Sequence, residues 1–177
     1  MPILEIIEVP NAVLSTPARE VRESEFGPAL QAVASDMAET MFAAPGVGLA
    51  APQIGISQRI LVANLKGDEE HTDGRDHLVT MVNPTIVERG EGTIVWEESC
   101  LSLPGLFIDV TRPSRIRVEW RTPTGEPQTR WFEDFPAVVV QHEMDHLDGV
   151  TLFNRASRLK RGRYLRRRKK LQTQSKP

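Results

Sequence analysis

The chain has 177 residues, 40% hydrophobic and 26% charged, with a formal net charge of −2. That length suits one globular domain with a buried core, no stretch is apolar for the roughly 18 to 20 residues that a membrane helix needs, and the N-terminal MPILEIIEVPN has no basic region or small-residue cleavage site to predict a secretory signal. Its one cysteine, Cys100, rules out an intrachain disulfide and fits a reducing, cytoplasmic setting.

In chain order, the first predicted element is an amphipathic helix over GPALQAVASDMAETMFAA, with Pro28 in the first turn and Leu30, Val33, Met37 and Met41 at helical spacing. The next segment, PGVGLAAPQIG, is too rich in Gly and Pro for regular structure and reads as an ordered loop. Strand-like runs follow: RILVANL, LVTMVNPTIVE, GTIVWEES, RIRVEW and QTRWFED. The polar loop KGDEEHTDGRDH separates the first two. Successive strands with no helix between them predict an α+β domain with antiparallel sheets, packed around one buried helix. That helix is DFPAVVVQHEMDHLDG, with Asp134 and Pro136 as start signals and Gly149 as the stop.

The charge is unevenly distributed. From Arg155 onward there are eleven Lys and Arg and no acid, whereas the first 154 residues hold eleven bases and all twenty-four acids, a net −13. The stretch RASRLKRGRYLRRRKK reads either as a solvated tail, partly disordered or helical, or as an electrostatic contact for nucleic acid or another polyanion. With Tyr164 as its one aromatic and no binding motif, it predicts no sequence-specific recognition.

The buried helix carries the chemistry. His142 and His146 are four residues apart and project from one face, so both imidazoles reach one ion. Glu143 points about 100° around the helix, where it can serve a metal ligand without coordinating the metal. Two structural histidines and a solvated Glu are the plain alternative. The third ligands usual for an HExxH helix are missing downstream. Leu152 stands where a third His would be, and no carboxylate side chain follows Asp148. The third ligand therefore lies upstream, among His71, His77, the acids and Cys100. His71 and His77 fall in the polar loop. Cys100 is either a small buried hydrophobe or a thiolate that completes a three-ligand site with its fourth position open.

Three stretches, GVGLAAPQ (46–53), ESCLS (98–102) and QHEMDHLDG (141–149), together resemble the three motifs of peptide deformylases, in order and at similar spacing. The similarity runs from about Ile3 to Leu159. It implies a catalytic domain over residues 1–158, with 159–177 as the basic tail. It also implies removal of the N-formyl group from the formyl-methionine of nascent polypeptides, with release of formate. Cys100, His142 and His146 are implied as ligands of one divalent ion, Fe²⁺ first, with Zn²⁺, Ni²⁺ or Co²⁺ able to use the same donors. Glu143 is implied as the acid/base group, and the Gln53 amide and Leu101 backbone N–H as oxyanion donors. Val47, Gly48 and Val138 are expected to line the methionine pocket. Glu98 is a candidate partner for a ligand, or an ordinary surface charge. Ser99 departs from the family's usual Gly, so a conformation that needs Gly would be strained there. The implied partners are N-formylmethionyl nascent peptides and, through the tail, the ribosome or its RNA, with no membrane.

Three rivals remain in view. GVGLAA fits a dinucleotide fingerprint, but a helix precedes it and Pro52 follows it, where that motif needs a strand and then a helix. A zinc endopeptidase lacks its downstream ligand. A metal-bearing RNA-binding module has no use for Glu143 and Gln53.

Overall fold

Strands whose two faces are both apolar need cover on both sides, and this requirement sets the architecture. In the computed structural model, which describes residues 2–65 and 75–174, β1 (Gly48–Ala50), β2 (Ile60–Asn64), β3 (Leu78–Arg89), β6 (Arg115–Arg121) and β7 (Pro127–Glu133) form a five-stranded sheet in the order β1-β2-β3-β6-β7. All neighbours in it are antiparallel. β4 (Thr93–Glu98) and β5 (Ile108–Pro113) form a separate antiparallel pair. The expected α+β domain with antiparallel sheets is the one observed. The polar loop expected over 66–77 lies mostly outside the described residues, His71 included.

β2 shows how the layers divide. Leu61 and Ala63 point to one face, where they meet Met81, Ile116, Val118, Phe132 and the helix α2 (Asp134–Leu147). Ile60 and Val62 point to the other, where they meet Leu30, Met37 and Met41 of α1 (Pro28–Ala43). The period-2 alternation thus buries one strand against two helices. α2 is also in contact with β5, so it lies between the two sheets. A third cluster joins Cys100, Leu103, Leu106, Ile108 and Val110 to Leu152 of α3 (Leu152–Arg155), Ala156, and Tyr164 of α4 (Arg158–Gln174).

Local signals explain the ends of α2. Glu133 is extended and precedes the first helical residue, Asp134, whose φ is +52°. Gly149 follows Leu147 and Asp148 at φ +72° and lies so close to the 15–17 backbone that a Cβ would fall 2.9 Å from Thr16 C. Gly is required there for both reasons.

Two expectations need correction. PGVGLAAPQIG is regular over most of its length: β1 pairs with β2, and Ala51–Ile54 is a 3-10 turn. Its glycines permit close packing and leave enough backbone donors for a strand. Ser99 is also unstrained, since Asn83 and Asp134 are the non-glycine residues with positive φ among those described. One strand, β5, is absent from the expected list. Its alternation places Ile108, Val110 and Arg112 inward, and a buried arginine disguises the pattern.

Candidate metal centre

α2 presents its apolar stripe to the five-stranded sheet and turns His142 and His146 the other way, toward the segment that follows β4. Cys100 lies two residues beyond the end of β4, and its Sγ is 3.2 Å from His146 Nε2. One donor atom from each of Cys100, His142 and His146 lies within 4.8 Å of the others, and all three residues are buried. A soft thiolate and two imidazoles converging at that spacing fit a divalent ion, with room for a further ligand. His77, the other described histidine, ends a 3-10 turn ahead of β3 and is not part of the cluster.

The surroundings orient these donors. His142 Nδ1 is 2.8 Å from Glu98 Oε2. An ionised carboxylate only accepts, so Nδ1 carries the proton and Nε2 is left to face the cluster. Glu98 is in turn gripped by the Arg112 guanidinium, whose Nη2 is 2.9 Å from Oε2 and 3.0 Å from Asp145 Oδ2. Arg155 then pairs with Asp145 through two contacts of 2.7 Å. A line of charges therefore runs from His142 through the protein to α3. Glu98 is therefore buried against His142 and Arg112 and is not an ordinary surface charge. Arg112 and Asp145 escaped the sequence reading because they meet Glu98 only in the fold.

Burial and charge set the protonation states. Burial pushes the Glu98 carboxyl upward, but hydrogen bonds from Arg112 and His142 outweigh it and hold the carboxyl below its ordinary range. Burial also disfavours a charged His142, yet in metal-free protein its contacts with Cys100 and Glu98 raise its pKa well above the ordinary value. His146 moves the other way, pushed well down by burial and then by the charge of His142. Burial pushes Glu143 up to about 7, into the range of a group that exchanges protons near neutrality.

Glu143 Oε2 and His146 Nδ1 are buried side-chain atoms with no hydrogen-bond partner. An orphaned buried carboxylate oxygen beside a metal-type cluster has the character of a working group. Gly48 makes room for it: a Cβ at that position would fall 2.3 Å from Glu143 Oε1. Gln53 enters from the 3-10 turn after β1. Its Oε1 accepts from the Ala50 N–H at 2.8 Å, which turns its NH₂ group toward Ser102 Oγ at 3.2 Å and Cys100 Sγ at 3.7 Å.

Most of the site opens on one cleft of about 510 Å³. Val47, Gly48, Gln53, Cys100, Leu101, Val138, His142 and Glu143 all line it. So do Trp96, Phe107 and Phe135, which the sequence reading did not name. A nucleophilic water, a proton acceptor and a set of donors can thus meet a carbonyl in one pocket with an apolar wall.

The profile of the polypeptide deformylase family matches residues 3–162. Among similar proteins is a peptide deformylase from Desulfotalea psychrophila, 42% identical over 170 residues that span 96% of this chain and 97% of the relative. The crystal structure of a peptide deformylase from Legionella pneumophila superposes with a TM-score of 0.85 at 36% identity, covering 99% of this chain and all of that one. A Met-Ala-Ser-bound class I type b peptide deformylase from Acinetobacter baumannii superposes with a TM-score of 0.79 at 32% identity, covering 88% and 99%.

Proposed function

This chain belongs to the polypeptide deformylase family, and we propose that its reaction, hydrolysis of the N-formyl group of formyl-methionine peptides to formate and a free amine, is carried out by Glu143, Gln53 and Leu101 around an ion held by Cys100, His142 and His146. The observation that carries the reading is the juxtaposition of the buried Glu143 carboxylate, whose Oε2 has no hydrogen-bond partner, with the Cys-His-His cluster.

The metal, when bound, supplies Lewis acidity that makes water a competent nucleophile near neutral pH. Glu143 accepts the proton of the attacking water and passes it to the departing amine as the C–N bond breaks. Gly48, with no Cβ, leaves the space that its carboxylate occupies. Negative charge collects on the formyl oxygen during attack. The Gln53 NH₂ group, fixed by the Ala50 N–H, donates to that oxygen together with the Leu101 backbone N–H. Glu98 holds His142 in the tautomer that leaves Nε2 free, and Arg112 keeps Glu98 charged. Val47, Gly48 and Val138 form the pocket for the methionine side chain. The Met-Ala-Ser peptide bound by the Acinetobacter baumannii relative supports a peptide in this cleft.

Ferrous iron is the proposed resident ion; the same donors accept Zn²⁺, Ni²⁺ or Co²⁺. Residues 1–158 form the catalytic unit in this reading, and 159–177 the basic tail. The tail adds a contact to the ribosome or its RNA, and the setting is cytoplasmic. No helix among the described residues is long and apolar enough to cross a membrane. Exposed Lys160, Arg163 and Arg166 on α4 offer the charge for a polyanion. Replacing these three with Gln should lower cosedimentation with ribosomes in low salt, and unchanged cosedimentation would remove the contact.

The reaction itself is tested with formyl-Met-Ala-Ser and protein purified anaerobically. Formate and intact Met-Ala-Ser are the expected products. Cleavage between Met and Ala would instead indicate an endopeptidase.

A further inference from the structure

The two proposed oxyanion donors sit on separate pieces of chain. Gln53 belongs to the 3-10 turn Ala51–Ile54 that follows β1, and Leu101 lies between Cys100 and Ser102 in the segment that follows β4. Among the described residues, no backbone hydrogen bond joins these two pieces directly. Inside the site the Gln53 side chain bridges them, with Nε2 donating to Ser102 Oγ at 3.2 Å and lying 3.7 Å from Cys100 Sγ. Donors that are to meet one oxygen must keep their relative positions within about 0.5 Å. A side chain that must itself turn to substrate is a poor sole brace.

The N-terminal segment supplies a second tie from outside the cleft. The Ile7 N–H donates to the Gln53 carbonyl at 2.8 Å, and the Val9 N–H donates to the Ser102 carbonyl at 3.0 Å. Residues 7 and 9 are two apart, the spacing at which an extended chain presents donors along one edge. Both acceptors belong to buried residues, and a buried carbonyl at the end of a 3-10 turn needs such a donor. This strap is anchored at both ends. The Leu4 N–H donates to Thr40 Oγ1 of α1 at 2.9 Å, and Ile6 packs against the cluster of Met41 and Leu49. Val9 packs against the cluster of Cys100, Leu103 and Tyr164, and Glu8 pairs with Arg168 of α4.

We infer that Ile7 and Val9 are positioning residues, whose backbone N–H groups hold the Gln53 turn and the Leu101 segment in register and so set the spacing of the two oxyanion donors. The inference rests on the proposed function, which makes Gln53 and Leu101 those donors. Residues 7–9 do not line the cleft, so they act through the donors and not on substrate. Losing one strap bond lets one donor drift while Cys100, His142, His146 and Glu143 stay in place. Charge on the formyl oxygen develops in the transition state, so the loss falls on kcat and leaves KM. A strap that served stability alone would lower the unfolding midpoint and leave kcat per metal-loaded, folded chain unchanged.

The test replaces single backbone N–H groups by ester oxygens, using the α-hydroxy acid analogues of Ile7 and Val9 introduced by nonsense suppression. Side chains are kept, and the Ile6 and Glu8 carbonyls that each ester weakens accept no backbone hydrogen bond among the described residues. The control is an ester at Ile6, whose N–H makes no backbone hydrogen bond among those residues. On formyl-Met-Ala-Ser, well below the unfolding midpoint, the esters at Ile7 and Val9 should each lower kcat roughly tenfold, with KM within about twofold and metal content unchanged. The control should match the parent. In a Gln53→Ala background the Ile7 ester should cost less than about twofold more, because the donor it positions is gone. A parental kcat in both esters, an undiminished loss in the Gln53→Ala background, or a fall in metal content that accounts for the lost rate overturns the inference. A parent that releases no formate would instead overturn the proposed function beneath it, a distinguishable result.

Discussion

The two faces of α2 show how one helix serves stability and chemistry by opposite means. The face toward the five-stranded sheet carries Val140 and Leu147, both fully buried among Ile116, Phe132 and Met81, with no polar atom to satisfy. The face toward Cys100 carries His142, Glu143 and His146, also buried, yet it leaves Glu143 Oε2 and His146 Nδ1 without partners. Equal burial therefore has opposite consequences. The apolar face gains from exclusion of water, while the polar face keeps ionisable groups in a shifted, poised state. The rigid packing on one side is what permits uncompensated polar groups on the other.

The comparison breaks most visibly at the two extremes. Cys100→Ala should lower metal content from near one per chain to near zero and activity by about a thousandfold or more, while the circular dichroism of the fold remains. Metal retained at full stoichiometry would show that the third ligand is another residue. Leu147→Ala should instead cost about 2–5 kcal/mol of folding stability, because it opens a cavity beneath the sheet. At temperatures where it stays folded it should still bind metal. A site lost without any change in stability would contradict the separation of the two faces.

The same contrast explains what the sequence revealed. Strands with plain alternation, such as RIRVEW, were legible because side-chain period and burial coincide there: Ile116, Val118 and Trp120 all point inward. The HExxH spacing was legible because it depends only on local helix geometry. β5 was not, because Arg112 occupies an inward position that Glu98, on the paired strand, and Asp145 of α2 make acceptable. β1 was hidden in a Gly- and Pro-rich stretch whose pairing with β2 is a tertiary fact. The aromatic wall of the cleft depends on α2 meeting the β4–β5 pair, a long-range contact that no local pattern announces.

Glu98→Gln sharpens the comparison at intermediate size. It keeps the shape but weakens the hold on His142 Nδ1 and on Arg112, so metal affinity should fall roughly 10–100-fold. An unchanged dissociation constant from a competitive chelator titration would make Glu98 a bystander.

A further effect concerns pH. Burial holds Glu143 at about 7 in the folded protein, above its ordinary 4.5, so the folded state keeps a proton that the unfolded state gives up between those values. Stability from this group is full below about pH 4.5 and is lost as pH rises through about 7. In metal-free protein, Glu143→Gln should therefore be more stable than the parent at pH 8, with the difference shrinking to nothing below about pH 4.5. Urea midpoints for both proteins across that range measure it, and a difference that grows toward low pH would reverse the sign of the account.

The central claim is that Glu143 moves the proton while Cys100, His142 and His146 hold the ion. Metal content and formate release, measured on the same anaerobic preparations of parent and Glu143→Gln, test it most directly. The account predicts one metal per chain in both proteins, with formate released by the parent and none detectable from the variant. Formate released by the metal-loaded variant at the parent's rate would contradict it.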